Sequence, residues 1–183
     1  MLRAAAVVLT LAAAIVGLHS PAAAAAAPQL IDQTGKRFTL ESLRGRPLIV
    51  TFVSAHCTDA CPLVDAQFAA AAQEMARRRL SARLLTVTLD PKHDSPATMR
   101  ALAKRFNANP RYWLVAGGRT RDVQTVMQAF GVVAPVGDDD RHASHSTFVY
   151  VVGSNGRLEK TMLASTALTS DVVDTARSLQ ASR

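Results

Sequence analysis

The sequence predicts an α/β fold in which a mixed central sheet is covered by helices on both faces. Three observations predict it. Apolar, β-branched runs recur at residues 48–53, 84–89 and 147–152, each short enough to be a buried strand. Between and after them lie stretches with apolar residues at helical spacing. The chain of 183 residues shows no internal repeat and leaves no room for two full-sized domains. Strands alternating with helices in one domain give a layered α/β architecture.

The elements follow in order. Residues 1–27 carry one charge, Arg3, then an apolar run over 4–18, a His19-Ser20-Pro21 break and six alanines over 22–27. A basic start, a short apolar core and small residues before the cut describe a secretory signal peptide, and the run is shorter than the ~20 residues of a membrane span. Neither cysteine lies near the alanines, which argues against a lipid anchor. The expectation is an exported protein, periplasmic or otherwise extracytoplasmic, with a signal at 1–27 and one domain at 28–183. An uncleaved segment would anchor it instead.

Leu30-Ile31 and Phe38-Thr39-Leu40 flank a glycine-containing turn and predict an N-terminal β-hairpin. Pro47 opens the first apolar strand. Leu63, Phe68, Ala71, Ala72 and Met75 set a helix that ends at Arg77-Arg78-Arg79, cations suited to the negative end of the helix dipole. The second apolar run completes a βαβ unit, so ligand sites are expected beyond the carboxyl ends of its strands. Ser95-Pro96 starts another helix as N-cap and first-turn proline, continued by Met99, Leu102, Ala103 and Phe106. Residues 112–115 predict a strand, and Val123, Val126, Met127 and Phe130 a helix face. After the third apolar run, Asn155-Gly156 turns the chain into a strand at 158–163, and residues 169–180 close it as a helix.

The net charge is +7, from 21 Lys and Arg against 14 Asp and Glu. Export and the scatter of the cations argue against nucleic acid; an anionic surface or acidic partner remains compatible with them. A domain of this size does not need its two cysteines as a scaffold.

Those cysteines lie in Ala55-His56-Cys57-Thr58-Asp59-Ala60-Cys61-Pro62. With Pro62 in a first helical turn, Cys61 sits at a helix N-terminus and Cys57 in the preceding loop, where backbone N–H groups and the dipole favour thiolate. The spacing suits either a disulfide or joint ligation of a soft metal. A structural disulfide is the plainest alternative for an exported protein, but a loop of three residues gains little from closure. Asp90 stands just beyond the second strand, as Cys57 stands beyond the first. Among the five histidines, His93 reads as a solvated loop residue and the acidic stretch before His142 as a solvated loop. His145 directly precedes the third strand, which can bring it beside the cysteine loop.

Three segments together resemble the signatures of the Sco/SenC family: Phe52-Val53-Ser54-Ala55-His56-Cys57-Thr58-Asp59-Ala60-Cys61-Pro62, then Thr86-Val87-Thr88-Leu89-Asp90-Pro91-Lys92-His93-Asp94-Ser95-Pro96, then His145-Ser146-Thr147-Phe148-Val149-Tyr150-Val151-Val152. The likeness runs from about Pro28 to the C-terminal helix. Members are thioredoxin-like copper proteins that help assemble cytochrome c oxidase. The resemblance implies a thioredoxin-like sandwich, with Cys57, Cys61 and His145 as the copper ligands and Asp90 as a carboxylate beside the site. It also implies that Ser146 occupies the position of the cis-proline in thioredoxin relatives. Thr58, Ala60, His93 and Ser144 depart from the common family pattern without removing a proposed ligand.

Two thiolates and one imidazole suit Cu(I), or Cu(II) with a weak extra ligand, at one ion per domain. Zinc would ask for a fourth ligand such as His56 or His142. The expected role is a metallochaperone rather than a turnover enzyme. Its expected partners are a copper-accepting oxidase subunit and a thiol reductant or another copper chaperone, with no nucleic acid. The alternative is an exported thiol–disulfide oxidoreductase or redox sensor using the same pair, with Cys57 attacking and Cys61 resolving.

Overall fold

The computed structural model describes residues 26–58, 60–133 and 148–181. The chain runs β1 (Leu30–Asp32), β2 (Arg37–Phe38), a 3₁₀ turn (Glu41–Leu43), β3 (Leu48–Val53), α1 (Ala60–Arg77), β4 (Arg83–Thr88), α2 (Pro96–Arg105), β5 (Trp113–Gly118), α3 (Thr120–Ala129), β6 (Phe148–Val152), β7 (Leu158–Leu163) and α4 (Leu168–Ala181). One seven-stranded sheet has the order β2-β1-β5-β4-β3-β6-β7. Strands β3, β4 and β5 are parallel neighbours, while β1, β2, β6 and β7 pair antiparallel, so the sheet is mixed as expected.

The sheet divides the core in two. Alternate residues of β3 serve opposite faces, as the two-residue period requires. Ile49 and Val53 pack with Phe68 and Met75 of α1, Met99 and Leu102 of α2, and Val172 of α4. Val50 and Phe52 pack with Val123 and Met127 of α3 and with Phe38 of the hairpin. Phe52, Phe130 and Tyr150 meet edge to face at 5.2–5.8 Å. On the other face Trp113 is fully buried, and its indole Nε1 donates to Thr86 Oγ1 at 3.0 Å. That bond keeps a polar group satisfied inside an apolar layer.

Local chemistry sets the element ends. The hairpin turns at Gly35 with φ +87°, and Asp32 Oδ1 accepts from the Thr34 and Lys36 amides. Ser95 caps α2 by accepting from the Thr98 amide at 3.1 Å. Helix α1 closes with Leu80 N–H donating to Met75 O and Arg79 N–H to Ala76 O, which holds Arg79 at φ +55°. Asn107 fills the same role after α2 at φ +52°. The left-handed position in such a closure usually falls to glycine, and asparagine tolerates it better than arginine does.

One packing expectation fails. Leu63 is 59% exposed, whereas Val64 and Asp65 are buried. In a helix starting at Ala60, the inward stripe passes through positions 61, 64, 65, 68, 71, 72 and 75. Leu63 lies about a quarter-turn outside it, so an aspartate occupies a core position and a leucine faces solvent. At the sheet margins, β2 has two residues and β7 is exposed along most of its length, with a bulge between Val151 and Val152 beside it. No helix among the described residues is long and apolar enough to cross a membrane.

Candidate metal and thiol site

The site begins where β3 stops. All six residues of β3 are buried, and its parallel pairing with β4 extends one step further through Leu89 N–H donating to Val53 O at 2.8 Å. The chain then turns: Cys57 N–H donates to Ser54 O at 3.2 Å, and the His56 amide to Ser54 Oγ at 3.3 Å. Cys57 is half-buried in this turn, and Cys61 is the second residue of α1 and 8% exposed. Both are free thiols.

The pair interacts. Burial pushes the Cys61 thiol up to about 12, and the side-chain hydrogen bond with Cys57 acts in the same direction. The charges of Cys57 and Asp65 add to the rise, and a backbone hydrogen bond from Ser54 opposes it. The sequence led us to expect a helix terminus that favours thiolate. For Cys61 desolvation outweighs the terminus, because a thiolate here would lose its water.

The loop after β4 supplies the carboxylates. Asp90 lies two residues beyond β4, where its amide donates to Thr88 Oγ1 at 2.9 Å. Its Oδ2 lies 2.7 Å from His93 Nδ1, and its Oδ1 accepts from the His93 amide at 3.3 Å. His93, read from the sequence as merely solvated, is therefore half-exposed and held by Asp90.

Asp94 reaches the cysteine loop, and sequence reasoning missed it. Its side chain is fully buried; Oδ2 accepts from Ala55 N–H at 3.0 Å and Thr88 Oγ1–H at 2.6 Å. Oδ1 stands 3.5 Å from His56 Nε2 and has no hydrogen-bond partner among the described residues. Burial raises the Asp94 carboxyl above its ordinary range, while the Thr88 and Ala55 hydrogen bonds and the nearby His56 pull it back. One carboxylate thus ties the end of β4 to the turn that presents Cys57. The second aspartate of Asp-Pro-x-x-Asp-x-Pro, directly before the Ser95 cap, was the available signal. Asp65, one helical turn after Cys61, was missed as well; it is 1% exposed and its Oδ1 has no hydrogen-bond partner among the described residues.

His145 and His142 lie outside the described residues, as does Ser146. The described start of β6 sits at the carboxyl end of β3: Val149 pairs with Thr51, and Thr51 Oγ1 donates to Phe148 O at 3.3 Å. Cys57 follows that same end of β3, so Phe148 and the cysteine turn share one pole of the sheet. Among the described residues, no group of three or more His, Cys, Asp or Glu side chains converges to hold a metal ion. The described donors are the two thiols, a set suited to a soft cation and short of a zinc site.

Comparison with known proteins places this arrangement. The chain is 27% identical over 136 residues to an SCO2-like protein of Rickettsia prowazekii, which covers 72% of this chain and 65% of that protein. It therefore spans just under two thirds of that relative's length. Its structure resembles Bradyrhizobium japonicum ScoI with copper bound, at a TM-score of 0.69 and 23% identity, covering 82% of this chain and 96% of the other. It also resembles BsSco, described in connection with a disulfide switch as a member of the Sco family of cytochrome c oxidase assembly proteins. There the TM-score is 0.72 at 19% identity, over 85% and 92% of the two chains. These likenesses carry the thioredoxin-like fold. The SCO1/SenC family model matches residues 18–180, and the chain belongs to that family.

Proposed function

We propose that the chain is a copper-binding metallochaperone that takes copper through Cys57, Cys61 and His145 and delivers it to the binuclear copper site of a respiratory oxidase subunit. The observation that carries this reading is the pair of free, interacting thiols at the start of α1, on the pole of the sheet where β6 begins. Family membership and the copper-bound ScoI support it. Copper is cargo here. Two sulfurs and an imidazole favour Cu(I), and releasing an ion to a recipient requires a site that does not enclose it completely. Cu(I) binding would displace the Cys61 proton, so affinity should rise with pH. Asp90 and Asp94 would act beside the metal, holding the loop rather than ligating.

The chain is proposed to work outside the cytoplasm, in the periplasm, after removal of residues 1–27, and to meet its partner there. Anaerobic titration of the reduced chain with Cu(I), using a competing chelator, tests the ligand set. One tightly held ion is expected, with His145→Ala at least about tenfold weaker; equal affinities would overturn the assignment of His145.

The order of burial favours a second activity of the same pair. Cys57 is the more accessible sulfur and Cys61 lies behind it. The Cys57 thiolate would attack a disulfide of the recipient, breaking that S–S bond and forming a mixed disulfide. Cys61, losing its proton, would then displace the recipient's second thiolate. The recipient ends with two thiols, and Cys57–Cys61 ends oxidised until an exported dithiol reductant restores it. Under this reading Cys57→Ser abolishes recipient reduction and His145→Ala leaves it intact.

A further inference from the structure

At the pole opposite the cysteine turn, where the parallel strands begin, two concavities adjoin. The first, of about 610 Å³, is lined by Arg46, Arg79, Ser81, Arg111 and neighbouring residues. The second, of about 660 Å³, is lined by Lys36, Arg37, Arg83 and again Arg111. Six cationic side chains thus line two pockets that share one arginine, and one of the six, Arg46, is already tied through Nε to Ser81 O at 2.6 Å.

The only carboxylate among those lining residues is Asp32, and its Oδ1 is already engaged by the Thr34 amide, the Thr34 hydroxyl and the Lys36 amide. Two acids close in sequence to the lining residues are committed as well: Glu41 pairs with Arg44, and Glu74 pairs with Arg77 and Arg78 and leaves Arg79 to the pocket. Arg79 leaves the helix from a left-handed backbone position, and Arg111 lies over the Tyr112 ring at 5.8 Å.

Two buried polar groups lack partners in these walls. Among the described residues, buried Arg83 Nε finds no hydrogen-bond acceptor and buried Ser81 Oγ no hydrogen-bond partner. Burial disfavours the charged form of Arg83, with the Asp32 charge opposing that loss. A desolvated guanidinium with an unused N–H, beside a cluster of like charge, is an arrangement that an anion would relieve. Arginine forks match the oxygens of tetrahedral oxyanions, and a concave site gathers them better than a flat one.

We propose that this arginine-lined pole binds a phosphate-class oxyanion, seated between Arg111 and its neighbours Arg79 and Arg83. It is separate from the copper and thiol chemistry at the other end of the sheet, and it does not depend on that reading. The phosphoryl group would come either from a soluble phosphate compound or from an anionic lipid headgroup.

Inorganic diphosphate, titrated calorimetrically into the purified full chain at about 150 mM salt, tests the site where exposed charges are well screened. Saturable binding is expected, weakened about tenfold or more by Arg111→Gln, Arg79→Gln or Arg83→Gln, as loss of one charge-assisted pair implies. Arg121→Gln, an exposed arginine at the start of α3 near the opposite pole, is expected to bind as the wild type does. Arg79 and Arg111 are exposed, so their variants report even if Arg83→Gln fails to fold. Flotation with phosphatidylglycerol vesicles, read as the difference between wild type and Arg111→Gln, separates the sources. Capture lost in the variant and competed by diphosphate supports a headgroup; diphosphate binding without such a difference supports a soluble phosphate. No saturation up to about 10 mM diphosphate, or an equal loss in Arg121→Gln, overturns the proposal.

Discussion

Replacing Asp65 with asparagine is expected to stabilise the protein at alkaline pH far more than at acid pH. The carboxyl is buried on the inward stripe of α1 and is pushed from 3.8 up to about 7 by desolvation, against a weaker opposing effect of the Arg105 charge. A carboxyl with a raised folded value binds its proton more tightly in the native than in the unfolded state. The raised value therefore costs nothing below pH 3.8, destabilises the fold progressively as pH rises from 3.8 to about 7, and costs no more above that. A shift of about three units corresponds to about 4 kcal/mol in full. Between about pH 4.5 and pH 8, roughly 3 kcal/mol of that develops, because the unfolded carboxyl is already mostly ionised at the lower value. Asparagine keeps the size and cannot ionise, so it removes this pH dependence. Urea unfolding of both reduced proteins at the two pH values, followed by Trp113 fluorescence, measures the difference. If the gain from Asp65→Asn is the same at both values, the buried charge is not the cause and the argument fails.

Other consequences can be measured on the same protein. Asp94→Ala removes the acceptor of Ala55 N–H and Thr88 Oγ1–H, and should lower stability by about 2 kcal/mol after relief of the buried charge is set against the two lost bonds. If the chain takes up Cu(II) through the proposed thiolates, the variant's visible Cu(II)–thiolate band should differ from the wild type's, because the Cys57 turn loses its tie; an unchanged spectrum would separate Asp94 from the site. Arg79→Gly should raise stability by about 1 kcal/mol, since Arg79 holds φ +55° without glycine's freedom, and should weaken diphosphate binding at the same time. A gain in both properties would contradict the role given to that side chain. Iodoacetamide at about pH 8 should label Cys57 long before Cys61, whose thiol at about 12 leaves roughly one thiolate in 10⁴. Peptide mapping that finds equal rates would refute the burial order.

The sheet was legible because its strands are marked by covering, apolar on both faces in β3 and β4, and by turn chemistry at Gly35, Ser95-Pro96 and Asn155-Gly156. The cysteine pair and Asp90 were legible as chemistry-bearing residues at strand ends. Composition could not reveal which carboxylate touches the cysteine turn. Asp90 and Asp94 are four residues apart in one polar loop, and only the folded loop shows that Asp90 turns to His93 while Asp94 is drawn under Ala55. Asp65 was hidden for a similar reason. An aspartate reads as solvent-facing, and the exposed Leu63 two residues earlier pulled the inferred apolar stripe off its true phase. Helix phase is set by tertiary packing of Phe68, Ala71, Ala72 and Met75, which overrides the preference of one polar residue.

The margins of the sheet have a consequence for self-association. A flat, apolar outer strand invites a second molecule to add its own strand and continue the ladder. Here one margin ends in the two residues of β2, too few to template such growth, and the other carries Glu159 and Lys160 on β7 beside a bulge that disturbs its register. The molecule can therefore display three exposed apolar side chains there, Phe148, Leu158 and Leu163, without the neighbouring backbone acting as a seed for fibrils.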